Sequence, residues 1–145
     1  MESKFDKMKR TPVKEQDPKK RATNFKEVCL GYTEEEAVQE ASRCLNCKKP
    51  MCVTQCPVNI NIPEFIHHVK NHEFEEAARV IAKSSSLPAV CGRVCPQETQ
   101  CEQKCVLGKK GEAIAIGKIE RFVADWSREN NIDLSERKPG NGKKV

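Results

Sequence analysis

Four cysteines inside thirteen residues constrain this chain more than any other feature. They lie in Cys44-Leu-Asn-Cys47-Lys-Lys-Pro-Met-Cys52-Val-Thr-Gln-Cys56-Pro57, spaced C-x2-C-x4-C-x3-C-P. One short loop can turn several sulfurs toward a single centre, and soft thiolates packed this densely suit an iron–sulfur cube or a zinc ion. A second group follows in Cys91-Gly-Arg-Val-Cys95-Pro-Gln-Glu-Thr-Gln-Cys101-Glu-Gln-Lys-Cys105, and Cys29 stands alone, nine cysteines in all.

With 145 residues the chain has length for one modest domain. Hydrophobic residues make up 37% and aromatics 5%, thin for a self-sufficient core. Thiolate–metal bonds supply folding free energy directly, so the cysteines offer a second source of stability. The N-terminus Met1-Glu-Ser-Lys-Phe-Asp-Lys-Met-Lys-Arg10 lacks the apolar stretch of a signal peptide, and no apolar run reaches membrane-spanning length. The expected compartment is therefore the reducing cytoplasm, where clustered cysteines more often bind metal than pair with each other. An odd cysteine count also fits full disulfide pairing poorly. The net charge of +5 counts every cysteine as neutral, and thiolates bound to metal cores would offset most of it. No basic patch interleaved with aromatics argues for nucleic acid.

Residues 1–28 are polar and charged, with Pro12 and Pro18, and read as an extended N-terminal arm, either a disordered tail or an arm docked on a partner. Cys29, between Val28 and Leu30, reads as a buried structural residue. Thr33 and Glu36 form a capping box, and the spacing of Ala37, Val38, Ala41, Cys44 and Leu45 predicts a helix over about 34–45 that delivers Cys44 into the loop. Pro50 and Pro57 should keep that loop from becoming helical.

Phe65, Ile66 and Val69 predict a second helix beginning near Pro63. Phe74, Ala77, Ala78 and Ile81 predict a third, antiparallel to it. His68 and His72 have chelating i, i+4 spacing, but histidines on a polar helix face are the more ordinary reading. Cys101 and Cys105 should share one face of a short helix. A last helix is expected over about 114–128, with Trp126 near its end and Glu120 flanking its apolar stripe. Spacing alone favours an ion pair of Glu120 with Arg121 or Arg93 over a metal-ligand role. Residues 129–145 read as a linker.

Eight cysteines in two groups suggest two tetrahedral sites. Only Cys44 and Cys47 have the C-x2-C spacing of a zinc knuckle, whereas C-x3-C recurs and proline twice follows cysteine. The patterns favour iron–sulfur, with a zinc-stabilised structural or interaction domain without redox role as the alternative. The terminal C-x3-C-P is similar to the end of the bacterial ferredoxin run, whose fourth cysteine serves another cluster, although the middle spacing departs from it. Cys44, Cys47 and Cys52 would share one cube, and Cys56 would cross to the other. Spacing does not complete either set.

Several motifs in order resemble one family. They are Arg10-Thr-Pro12, Glu15-Gln-Asp-Pro18, Asn24-Phe25, Glu27-Val28, Gly31-Tyr-Thr-Glu-Glu-Glu-Ala37, Glu40-Ala-Ser-Arg-Cys44, Cys56-Pro-Val58, Ile62-Pro-Glu-Phe65, Cys91-Gly-Arg-Val-Cys95-Pro and Ile116-Gly-Lys-Ile-Glu-Arg-Phe122. They cover about residues 10–128. They resemble the N-terminal iron–sulfur domain of the glutamate synthase small (beta) subunit. That superfamily also includes the N-terminal domain of dihydropyrimidine dehydrogenase and the large subunit of NADH-dependent ferredoxin:NADP oxidoreductase.

The resemblance implies an all-α domain of about four to five helices, residues 29–128, organised around two 4Fe–4S clusters in an alpha-helical ferredoxin-like fold. Cys44, Cys47, Cys52 and Cys105 would hold the first cluster. Cys56, Cys95, Cys101 and Glu120 would hold the second, with Cys91 the alternative fourth ligand. The domain would relay electrons between a flavin- and NADPH-binding domain and a large catalytic subunit in glutamate biosynthesis, and would not be catalytic alone. No Gly-x-Gly-x-x-Gly phosphate loop occurs in the chain, so FAD and NADPH are expected only on a domain downstream of residues 129–145.

Overall fold

The computed structural model describes residues 6–135, 139, 140 and 142. The parts of the expected linker at 136–138, 141 and 143–145 lie outside the described residues. The elements run in the order β1 (Lys14–Glu15), α1 (Pro18–Arg21), β2 (Cys29–Gly31), α2 (Glu34–Ala41), α3 (Met51–Thr54), α4 (Ile62–Lys70), α5 (Phe74–Ala82), α6 (Pro88–Val94) and α7 (Ile116–Glu129). Three 3-10 turns, Gln97–Thr99, Glu102–Lys104 and Val106–Lys109, join α6 to the approach of α7.

The expected fold needs correction on two counts. The chain is helical, but its helices are more numerous and shorter than four or five, and β1 and β2 pair antiparallel with Lys14 opposite Gly31. Nor is it organised around two iron–sulfur clusters: among the described residues, no group of three or more His, Cys, Asp or Glu side chains could hold a metal ion. The centre is instead a contiguous apolar core. Phe65, Ile66 and Val69 of α4, Ala77 and Ile81 of α5, and Ile119 and Val123 of α7 are all but inaccessible to solvent. Short, strongly amphipathic helices reach this packing with few aromatics because small alanines on α2 and α5 let the helices approach closely. The scarce aromatics are concentrated, with Phe74 edge-to-face against both Phe122 at 5.1 Å and Trp126 at 5.4 Å between ring centres.

Local signals set most boundaries. The capping box is present: Thr33 Oγ1 accepts from the Glu36 amide at 3.3 Å, and Glu36 Oε2 accepts from the Thr33 amide at 2.9 Å. Helix α2 ends at Ala41 rather than near residue 45, and Asn46 turns the chain with φ 47°, a conformation asparagine tolerates better than most residues. Pro50 does not hold the cysteine loop open. It stands at the cap position, where its missing amide costs nothing, and α3 follows it. Helices α4 and α5 pack as the expected hairpin, turned at His72 with φ 61°.

Residues 6–31 fold back on the body rather than extending from it. Thr11 is buried, its carbonyl accepts from the Tyr32 hydroxyl at 2.7 Å, and its amide donates to Glu40 at 2.7 Å. Close backbone approach locks α6 to α7: a Cβ on Gly92 would fall 2.7 Å from the Arg121 nitrogen, so only glycine fits there.

Candidate functional site

The loop after α2, helix α3 and the turns after α6 bring cysteines from both groups to common walls. Cys44, Cys47, Cys52 and Cys105 line one cavity together with Ile62, Ile66, Ile114 and Ile116. Cys44 comes from the turn beyond α2, Cys52 from α3, and Cys105 from the extended residue between two 3-10 turns. Cys101 and Cys105 do not share the face of a short α-helix. They flank the Glu102–Lys104 turn, whose tighter winding aims them differently.

A second gathering lies beside α7. Cys95 ends α6, and Cys91, Glu120 and Cys56 all lie close enough to disfavour its thiolate. Cys101 lies within electrostatic reach of Glu102, Cys56 and Glu120. The structure thus brings together Cys56, Cys91, Cys95, Cys101 and Glu120. Cys91 is the helical member, with the Ser85 hydroxyl 4.0 Å from its sulfur.

Apolar walls govern the chemistry of both sites. Burial pushes the Cys52 thiol up to about 11, and the neighbouring Cys105 and Cys44 add to the shift. Burial likewise raises Cys44, Cys95 to about 11 and Cys101 to about 12. Burial alone lifts the Glu120 carboxyl to about 7. Its Oε1 is buried without a hydrogen-bond partner. The expected ion pair is absent among the described residues because both candidate arginines are engaged elsewhere. Arg93 binds Glu27 and Asp125, and Arg121 binds the same two carboxylates while donating to the Cys29 carbonyl.

The donor sets do not fit the groups expected of them. As no metal-holding group exists among the described residues, the two 4Fe–4S clusters, the electron relay through them and the zinc-stabilised alternative are all corrected. Sequence spacing counts soft donors, whereas a metal site requires that they converge as thiolates. Here they are spread over separate elements, and burial disfavours the thiolates of Cys44, Cys52, Cys95 and Cys101. All nine cysteines are free thiols. The histidine pair also fails: α4 ends at Lys70, so His72 leaves the helix and packs on Phe74, while His68 bonds Glu73 at 2.6 Å. Cys29 is half-buried on β2 rather than enclosed.

A buried polar centre escaped the sequence reading. Glu40 and Arg43 are wholly enclosed and paired at 2.6 Å. Glu40 also accepts from the Thr11 and Ala115 amides, and Arg43 donates to the carbonyls of Lys7 and Glu112. Nearby, Glu102 binds Arg10 and the Gly117 amide. These groups join the arm, α2 and the entry to α7. The i, i+3 pairing of Glu40 with Arg43 was the available signal.

These features define a cysteine-rich, mostly helical domain. The chain belongs to the family described as dihydropyrimidine dehydrogenase domain II, 4Fe-4S cluster, which matches residues 21–132. It is 40% identical over 118 residues to the glutamate synthase [NADPH] small chain of Halomonas elongata, covering 78% of this chain and 25% of that protein. It is 40% identical over 106 residues to the putative oxidoreductase UacF of Escherichia coli, covering 72% and 17%. It is 34% identical over 108 residues to the NAD-dependent dihydropyrimidine dehydrogenase subunit PreT of Escherichia coli, covering 74% and 26%. The chain thus spans about a quarter or less of the length of these relatives. Among the described residues, no helix is long and apolar enough to cross a membrane.

Proposed function

We propose that this chain is an accessory module of a cytoplasmic, glutamate synthase-like oxidoreductase and performs no reaction alone. It works beside a flavin- and NADPH-binding domain and a large catalytic subunit. The helical body of residues 29–128 is the working part. Its functional residues are Cys44, Cys47, Cys52 and Cys105 at one site, and Cys56, Cys95, Cys101 and Glu120 at the other, with Cys91 beside them. The single observation that carries this reading is the stretch shared with the glutamate synthase small chain, which is the cysteine-bearing helical part.

The test is complementation. The small chain of Escherichia coli glutamate synthase is made without its matching stretch and combined with its large partner and this chain. NADPH-dependent glutamate formation should appear only when this chain is added, and should be lost with Cys52→Ser or Cys101→Ser. Equal rates with and without the chain overturn the proposal.

A further inference from the structure

The mouth of the first cysteine cavity carries chemistry that the proposed function leaves unused. Leu45, Met51 and Val106 stand on its rim, 54%, 49% and 42% exposed, although each is an aliphatic or thioether side chain. Leu45 and Met51 come from the first cysteine loop, and Val106 follows Cys105. Exposed apolar residues scattered singly need no explanation, but three on one rim, from two segments far apart in sequence, form a patch.

Lysines surround it. Lys104 lines the same rim, and Lys48 lines an adjoining depression that shares Cys47, Pro50 and Pro63 with the cavity. Lys49 follows Lys48 on the exposed loop, and Lys70 lies within electrostatic reach of Cys44. None of these four forms an ion pair among the described residues. Neither Glu64, which lines the same depression as Lys48, nor Glu102 forms an ion pair with these lysines among the described residues. Glu64 is held by Asn61, and Glu102 is turned inward onto Arg10 and Gly117.

Building on the proposed function, we propose that this lysine-ringed apolar mouth is the surface on which the module docks an acidic protein partner, the large catalytic subunit. An apolar centre within a charged rim is the anatomy of a specific protein interface, and the rim charges steer encounter with a surface of opposite sign. A second copy meeting this face about a two-fold axis would bring lysine onto lysine. For nucleic acid, the mouth has no aromatic platform on which a base would stack.

The experiment measures binding of this chain to the Escherichia coli glutamate synthase large subunit at low and high ionic strength. Wild-type binding should weaken as salt rises. The triple variant Lys48→Glu, Lys49→Glu, Lys104→Glu should bind about tenfold more weakly or worse at low salt and lose its salt dependence. Leu45→Ser with Met51→Ser should speed dissociation while leaving the salt dependence intact. Lys19→Glu with Lys20→Glu, on α1 outside the patch, should bind as wild type. Circular dichroism identifies any variant that fails to fold. Wild-type binding that the triple variant leaves unchanged overturns the surface and spares the proposed function. No wild-type binding at any salt removes both. Self-association, or binding of a single-stranded DNA oligonucleotide, that the triple variant abolishes overturns the protein-partner assignment.

Discussion

Two buried glutamates, Glu40 and Glu120, face opposite circumstances. Glu40 is fully enclosed and every direction around its carboxylate is answered, by Arg43, the Thr11 amide and the Ala115 amide. Glu120 is nearly as enclosed, yet one oxygen has no partner, and burial alone raises its carboxyl to about 7. Burying a charge is tolerable only when hydrogen bonds and a counter-charge replace lost water. Glu40 therefore acts as a structural clasp between α2, the arm and the entry to α7. Glu120 is held among cysteines at a cost that no described contact offsets, the pattern expected where a site serves something other than folding.

Truncation should separate the two most sharply. Arg43→Ala leaves Glu40 charged and unpaired, and should lower stability by about 3–5 kcal/mol in urea denaturation. Replacing both partners, Glu40→Leu with Arg43→Met, should recover most of that loss, because no orphan charge remains. A double variant as unstable as the single would break the comparison.

The next effect in size concerns how the helix carrying Glu120 is seated. Gly92→Ala forces a methyl into the Arg121 backbone, which belongs to the same turn of α7. The expected cost is about 1–3 kcal/mol, read as a lower thermal midpoint. Glu120→Gln should then change stability by less than about 1 kcal/mol at neutral pH, since no described partner is lost. A loss of several kcal/mol would show that Glu120 is as well satisfied as Glu40.

The smallest effect lies at the surface. Glu27 bonds Arg93 and pairs with Arg121, and the Arg93 hydrogen bond holds its carboxyl below the usual value of 4.5. A depressed acid stabilises the fold fully above its unfolded value, and the contribution disappears as pH falls through the folded value. Glu27 is about half exposed, so screening keeps this below about 1 kcal/mol. Glu27→Gln should narrow the stability difference between neutral and acid pH by that amount in pH-dependent denaturation. A larger change would place this surface network on a level with the Glu40 clasp.

Helix positions were legible where a strong local signal acted. The Thr33–Glu36 capping box and the stripe Phe74, Ala77, Ala78, Ile81 are recognisable from neighbours alone, because hydrogen-bond reach and helical period are local properties. Helix α6 was missed because its outward valines give no amphipathic stripe; Gly92 holds it in place against α7. Spacing alone completed neither cysteine set; the groupings of Cys44, Cys47 and Cys52 with Cys105, and of Cys56, Cys95 and Cys101 with Glu120, came only from the resemblance, and local geometry was not legible. Cys101 and Cys105 illustrate this, since a 3-10 turn replaced the expected α-helical face.

The sequence by itself determined that this chain is helical, cysteine-rich and related to oxidoreductase modules, because period, caps and motif order are properties of neighbouring residues. Only the tertiary structure decided that the cysteines of the first site face apolar surroundings, and that Arg93 and Arg121 turn away from Glu120. Convergence and burial depend on contacts between segments tens of residues apart. Desolvation, which raises the Cys44, Cys52, Cys95 and Cys101 thiols, exists only once those segments have packed.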